Sequence, residues 1–261
     1  MYIAAKEKHI NKHKCFSQVA HQYDAAVDMH SIITKQQNPE RLRIATANMV
    51  NNNLEASAVG SWLPMAAEKY KISSNLEDYV CVPVVIMPSD LPNRNGIAFP
   101  YKELVSFNPN PYTKKIAYQT WEAAPTFYEH KNDNYEEAKG VIFAVTMSPI
   151  QGSQGDLYKV VCLCGFDRTK DAKLYSRILR KELSTYSMGA YVDNYVCSIC
   201  GKGYDQGGCK HVSINDPTFR TFETEHGSKL AYYEAVGVAG FECSAVETPA
   251  YISAQNNFLI G

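Results

Sequence analysis

Three cysteines and one histidine cluster near residue 200 of this chain, and their spacing is typical of a metal site. A Cys-x-x-Cys pair is followed shortly by a Cys-x-His pair, which gives four candidate ligands: Cys197, Cys200, Cys209 and His211. Such a set suits Zn²⁺, which prefers tetrahedral coordination by sulfur and nitrogen. Because the protein would fill all four positions, the pattern predicts a closed, structural zinc site in a knuckle at about 195–215. The alternative is a reduced cysteine cluster without a metal.

A second candidate for chemistry is Ser187, in a Ser-Met-Gly sequence. A serine hydroxyl becomes a nucleophile when a base takes its proton, and an imidazole can do this near neutral pH. His130 is the candidate base left by elimination. Four other histidines lie in the polar N-terminal part, His211 suits the metal site, and His226 lies in a predicted turn. Most serines in strands are structural, so these residue types alone do not establish catalysis.

The elements that would position these residues are mainly strands. Residues 79–87, 141–147 and 157–166 are apolar, β-branched runs bounded by turn residues, as is typical of strands. Residues 167–183 then repeat leucine and isoleucine at helical spacing, with acidic residues suited to a cap at the start. The pattern predicts an amphipathic helix that leads into a strand carrying Ser187.

Residues 1–56 differ from the rest of the chain in composition. They are polar, rich in lysine, histidine, glutamine and asparagine, and contain no glycine. Residues 18–27 and 41–50 are candidate helices. We therefore expect an N-terminal helical arm or extension over 1–56, followed by a main domain over 57–261.

The overall charge argues against two classes of partner. The formal net charge is −1, so no strong field is expected for binding nucleic acid or an anionic membrane. No apolar run approaches the roughly 20 residues that span a bilayer, and the first residues lack the apolar core of a secretory signal. We expect a protein of a reducing cytoplasm, with no membrane and no specific nucleic acid as partner.

Several segments, taken in order, resemble the prohead (capsid maturation) proteases of tailed phages and the related herpesvirus assemblins. They are residues 125–130, 140–147, 167–183, 187–189 and 242–250. A Ser-Met-Gly sequence alone is common, but the ordered set across about 75–255 is more specific. The resemblance implies an α+β fold, with a twisted, partly closed β-barrel, flanking helices and an inserted zinc knuckle.

The resemblance also implies a function and roles for residues. Ser187 would be the nucleophile of a serine endopeptidase, His130 its general base and Glu242 the acid that orients His130, with Asp193 as an alternative third member. The substrates would be phage scaffold and major capsid proteins, cut after glutamate during head maturation. The enzyme would work in the host bacterial cytoplasm, as a homo-oligomer inside the prohead or virion.

Two other functions stay open at this point. The first is a virion structural or scaffold protein that keeps the protease fold without activity. The second is a zinc-stabilised binding module, which predicts a basic face around the knuckle. Lys202 and Lys210 beside Asp205 give that second hypothesis little support.

Overall fold

The structure is a computed structural model, and it describes residues 13–22, 27–28, 56–108, 115–150, 157–213 and 219–247. These residues form an α+β structure that is mostly strand, with few helices and a main sheet curled into a half-barrel. Among the described helices, none is long and apolar enough to cross a membrane.

The main sheet contains eight strands. They are β1 (His13–Gln22), β2 (Val27–Asp28), β3 (Tyr79–Pro88), β5 (Pro125–Tyr128), β6 (Gly140–Pro149), β7 (Tyr158–Asp167), β8 (Thr185–Val192) and β13 (Ala239–Ala245). The smaller strands are β4 (Ile97–Ala98), β9 (Asn194–Cys197), β10 (Arg220–Thr224), β11 (Gly227–Ala231) and β12 (Tyr233–Val236). The α-helices are α1 (Ala56–Tyr70), α2 (Tyr101–Leu104) and α3 (Ala172–Leu179).

The strand order in the main sheet is β1-β8-β13-β5-β6-β7-β3-β2. Only the β13–β5 pairing in this sheet is parallel among the described strands. The end of β1 also pairs with β3, through His21 with Val85 and Gln22 with Val84, so the sheet curls back towards its other side. Two small sheets accompany it, a β10–β11 hairpin and a β4-β12-β9 sheet.

Apolar clusters cover both faces of the main sheet. The larger cluster contains Val82, Ile142, Cys164, Met188 and Cys243, together with Trp121 and the buried side of α3. We call the face that carries it the inner face. The smaller cluster, on the outer face, packs Leu63 and Tyr70 of α1 against Phe127 and Phe143. Successive residues of a strand project to opposite faces, which is why these strands supply both clusters.

Most of the predicted elements of the main sheet are confirmed. The three predicted strands correspond to β3, β6 and β7, and the amphipathic helix corresponds to α3 with narrower bounds. The Asp171 side chain caps α3 by accepting a hydrogen bond from the Leu174 N–H over 2.9 Å. Helix α1 was not predicted, because Pro64 lies inside it and interrupts the pattern.

The prediction of a helix over 18–27 is wrong where the structure describes that segment. Residues 13–22 form β1, which pairs antiparallel with β8 from His13–Val192 to His21–Thr185. Long-range pairing overrides the weak helical preference of this polar sequence, because it satisfies the open backbone edge of β8. This part of the expected arm belongs to the main sheet. The second predicted helix, at 41–50, lies outside the described residues.

Candidate active site and metal centre

The pairing of β8 with β13 sets the geometry of the candidate active site. The strands run antiparallel, with Ser187 opposite Ser244 and Gly189 opposite Glu242. Directly opposed residues of an antiparallel pair project to the same face. All four residues therefore share the outer face of the sheet, while Met188 between them projects into the core.

A β-bulge in β13 brings Glu242 to this face. The register shifts between Gly240 and Glu242, so that Phe241 is an extra residue in the strand. Phe241 and Glu242 both lie over Gly189, because a Cβ atom there would be 2.6 Å from Phe241 Cζ and 2.8 Å from Glu242 Oε1. If the ladder were regular, with Phe241 opposite Gly189, Glu242 would lie opposite Met188 and project to the inner face. The missing side chain at Gly189 leaves the space that Glu242 occupies.

His130 lies in a tight turn directly after β5. The Lys131 N–H donates to the Tyr128 carbonyl over 3.2 Å, and the two central residues, Glu129 and His130, have φ angles of 54° and 55°. Positive φ at both central positions is the pattern of a type I′ turn, which usually takes asparagine or glycine. The left-handed conformation costs other residues about 1–2 kcal/mol each. Contacts elsewhere must therefore hold this turn.

The turn places the His130 ring against Glu242. His130 Nδ1 lies 3.6 Å from Glu242 Oε1, with the carboxylate fully buried and the imidazole 36% exposed. This distance exceeds a hydrogen bond, but a protonated imidazole there would attract the carboxylate strongly. The Ser244 hydroxyl donates to the other oxygen, Oε2. The two oxygens of Glu242 thus face two different groups.

Ser187 and Asp193 lie at different ends of β8. Ser187 is 2% exposed and lies on the strand directly paired with that of Glu242. Asp193 lies at the corner between β8 and β9, where its N–H donates to the Val236 carbonyl over 2.8 Å. Six residues of extended chain separate the two, about 20 Å. The geometry therefore favours Glu242 over Asp193 as the partner of the histidine.

A network of hydrogen bonds holds the end of β13 against the turn. The Glu129 N–H donates to the Ala245 carbonyl over 3.0 Å, and the Glu129 carboxylate accepts from the Glu247 N–H. The Glu247 carboxylate accepts from the Tyr128 hydroxyl and from both terminal nitrogens of Arg177 on α3. The hydrogen bonds from Arg177, and then that from Tyr128, lower the pKa of Glu247 from 4.5 to about 2. These contacts offset the cost of the left-handed turn.

The structure also brings the four predicted metal ligands together. One ligand atom from each of Cys197, Cys200, Cys209 and His211 lies within 4.8 Å of the others. Cys197 Sγ and His211 Nδ1 are 3.8 Å apart. Ligand atoms around a tetrahedral ion with bonds of 2.0–2.3 Å are about 3.3–3.8 Å apart. The cluster can therefore hold a metal after a small inward movement of its side chains.

Local backbone structure explains how the Cys-x-x-Cys pair closes. The Cys197 carbonyl accepts from the Gly201 N–H over 2.8 Å, and the Cys197 N–H donates to the Lys202 carbonyl over 3.0 Å. Gly201 has a φ of 69°, a conformation that favours glycine. The Ile199 N–H points at Cys197 Sγ over 3.4 Å, which is suited to a thiolate. Burial, followed by hydrogen bonds with the Cys209 and Cys200 side chains, raises the pKa of the Cys197 thiol to about 11, so a cation would be needed to hold the thiolate at neutral pH.

Four other cysteines are buried in the main sheet: Cys81, Cys162, Cys164 and Cys243. Burial raises the pKa of the first three thiols. A hydrogen bond with Cys164 and then burial raise the pKa of Cys243. We call them the sheet cysteines. They are protonated residues of the apolar core.

Ser244 and the hydrogen-bond network around Glu247 were not predicted from the sequence. Ser244 follows Glu242 by two residues, so the period of a strand could have placed it on the same face. Nothing local in the sequence indicates that Arg177 would reach Glu247, because the two are 70 residues apart. The turn at Glu129 and His130 contains neither glycine nor asparagine, so it carries no turn signal either.

No protein-family model, curated protein or solved structure matches this chain. The resemblance to prohead proteases therefore stays a prediction.

Proposed function

We propose that this protein is a serine endopeptidase with Ser187 as nucleophile, His130 as general base and Glu242 as the acid that orients His130. The observation that carries the proposal is the contact of 3.6 Å between His130 Nδ1 and Oε1 of the fully buried Glu242. A buried carboxylate beside a histidine is the orienting half of a serine–histidine–acid triad, and Ser187 lies on the strand paired with that of Glu242.

The proposed reaction follows from which nitrogen faces the carboxylate. With Nδ1 directed at Glu242, Nε2 is the nitrogen left to take the Ser187 proton. Ser187 Oγ then bonds to the scissile carbonyl carbon, and His130 returns the proton to the leaving amine as the C–N bond breaks. Water, deprotonated by His130, hydrolyses the ester and releases Ser187. Glu242 stabilises the imidazolium that forms in each half of the reaction.

The metal and the biological setting complete the proposal. We propose that Zn²⁺ fills the Cys197, Cys200, Cys209 and His211 cluster as a structural ion, since three sulfur atoms and one nitrogen suit that metal and no ligand position is left for water. The ordered motifs support scaffold and major capsid proteins of a tailed phage as substrates, cut after glutamate inside the prohead. They also support a homo-oligomer in that particle.

One observation favours a second candidate. Ser187 is 2% exposed, which suits a virion structural protein that keeps this arrangement without turnover. The two functions differ in whether Ser187 reacts. A direct test is therefore the labelling of the purified full chain with a fluorophosphonate, a probe that bonds covalently to activated serines.

The serine protease predicts labelling of the wild type that maps to Ser187 by mass spectrometry. Labelling should be lost in Ser187→Ala and strongly reduced in His130→Ala. Ser184→Ala is the matched control, because that serine is exposed and lies just before β8. Wild-type labelling no faster than that of Ser187→Ala would favour the structural protein.

A second experiment tests the substrates. Wild type and Ser187→Ala are each co-expressed with the scaffold and major capsid proteins of the phage, and every new terminus is read by mass spectrometry. Cuts that occur with the wild type alone would establish the protease and give its specificity. Labelling of Ser187 without any such cut would support a reactive serine enzyme and refute the proposal that scaffold and capsid proteins are its substrates.

A further inference from the structure

We propose that Ser244 is a positioning residue, which holds the Glu242 carboxylate in the orientation that His130 requires. The inference rests on the proposed function and adds a fourth residue to the candidate site. It follows from the hydrogen bond that Ser244 donates, the burial of both side chains and the register of β13 with β8.

The Ser244 hydroxyl uses its only proton in the hydrogen bond to Glu242. A serine hydroxyl has one O–H donor, and here it points at Glu242 Oε2. Ser244 lies directly opposite Ser187, so it is also the nearest rival nucleophile on this face. A hydroxyl that donates to a carboxylate does not face the imidazole that must take the proton of the nucleophile. The geometry therefore assigns Ser244 to Glu242 and leaves the nucleophilic role to Ser187.

The carboxylate needs this contact to keep its orientation. The terminal torsion of a glutamate side chain is soft, so a carboxylate without partners rotates easily. Among the described residues, Ser244 is the hydrogen-bond donor to Glu242, and both residues are 0% exposed. With Oε2 held by Ser244, Oε1 is the oxygen that faces His130 Nδ1. Ser244 thus acts on His130 through Glu242.

The clearest test compares Ser244→Thr with Ser244→Val. The two side chains have nearly the same shape, and only threonine keeps the hydroxyl, so any cost of the added methyl group cancels between them. We measure the second-order rate of fluorophosphonate labelling at Ser187 in the zinc-loaded full chain. We expect Ser244→Thr to label within about threefold of wild type, and Ser244→Val to label about 10- to 100-fold more slowly, the range for a catalytic group displaced by up to 1 Å.

A double-mutant cycle separates positioning from a general effect on structure. If Ser244 acts through Glu242, then Ser244→Val should slow labelling by less than about twofold when Glu242→Ala is already present. Equal losses in both backgrounds would overturn the proposal, and so would equal rates for Ser244→Thr and Ser244→Val. Thermal unfolding of each variant shows that the protein compared is folded.

The outcomes also distinguish this proposal from the proposed function. A wild type that does not label at Ser187 refutes the protease, and the role of Ser244 with it. A wild type that labels at Ser187, with no difference between Ser244→Thr and Ser244→Val, refutes the role of Ser244 alone. A label that maps to Ser244 itself would reverse the assignment of the two serines.

Discussion

Replacement of Gly189 by alanine tests the central geometry of the candidate site. The added Cβ atom would lie 2.8 Å from Glu242 Oε1 and 2.6 Å from Phe241 Cζ. Ordinary contacts between such atoms begin near 3.4 Å, so the oxygen must move by about 0.6 Å and the ring by about 0.8 Å. That oxygen is the one that faces His130 over 3.6 Å. The substitution therefore disturbs the acid without touching the serine or the histidine.

Two effects of Gly189→Ala can be estimated. A displacement approaching 1 Å at a catalytic group lowers rates by up to about 100-fold, so we expect labelling at Ser187 to slow by about 10- to 100-fold. Crowding in a packed region costs about 1–3 kcal/mol, which lowers the melting temperature by roughly 2–10 °C in a chain of this size. The protein should therefore stay folded at 25 °C while it loses most of its reactivity.

The control for Gly189→Ala is Gly203→Ala. A Cβ atom at Gly203 would lie 2.3 Å from Asp205 Oδ1 and 2.8 Å from Asn194 Nδ2, which is similar crowding outside the β8–β13 pair. We expect that variant to label Ser187 at the wild-type rate. A folded Gly189→Ala protein that labels within about twofold of wild type would refute the reasoning, because Glu242 would then not depend on the space over Gly189.

Three further predictions concern other parts of the molecule. Chelation of the metal, or Cys200→Ser, should lower the melting temperature by several degrees and abolish stoichiometric zinc, as measured by calorimetry and elemental analysis. The sheet cysteines should resist a thiol reagent in the native protein, whereas Cys200, which is exposed, should react only after chelation; peptide mapping of the modified sites tests this. Finally, since hydrogen bonds from Arg177 and Tyr128 lower the pKa of Glu247 to about 2, its contribution to stability is present above pH 4.5 and is lost as the pH falls towards 2. The melting-temperature difference between wild type and Glu247→Gln should shrink over that interval, and a difference that stays constant from pH 6 to pH 2 would contradict it.

The metal cluster was the part of the structure that the sequence predicted most fully. Its four ligands are close together in the chain, so the spacing that lets them meet in a tight turn is visible directly in the sequence. Gly201, directly after Cys200, has a left-handed backbone conformation, and a glycine at that position is also visible in the sequence. The structure brings together all four ligands that the spacing predicts.

The candidate active site could be predicted from the sequence only in part. The order of motifs along the chain indicated Ser187, His130 and Glu242, and the structure brings His130 to Glu242 and not to Asp193. The hydrogen bond from Ser244 and the turn at His130 depend on pairing between distant strands, which single-residue preferences do not encode. The strand β1 was mistaken for a helix for the same reason, since its partner β8 lies more than 160 residues away.

The extra residue in β13 has a consequence for how this region can change. Deletion of Phe241 would regularise the ladder and leave Gly240 opposite Ala190 and Glu242 opposite Gly189, so the carboxylate would stay on the outer face and only the ring over Gly189 would be lost. Loss of the codon for Phe241 should thus leave the acid in place, whereas loss of the codon for Cys243 would make Glu242 and Ser244 neighbours in the strand and turn one of them into the apolar interior. A transplant of this acid into another antiparallel scaffold would therefore need the alternate Glu242 and Ser244 pair and a glycine opposite the glutamate, but not the extra residue.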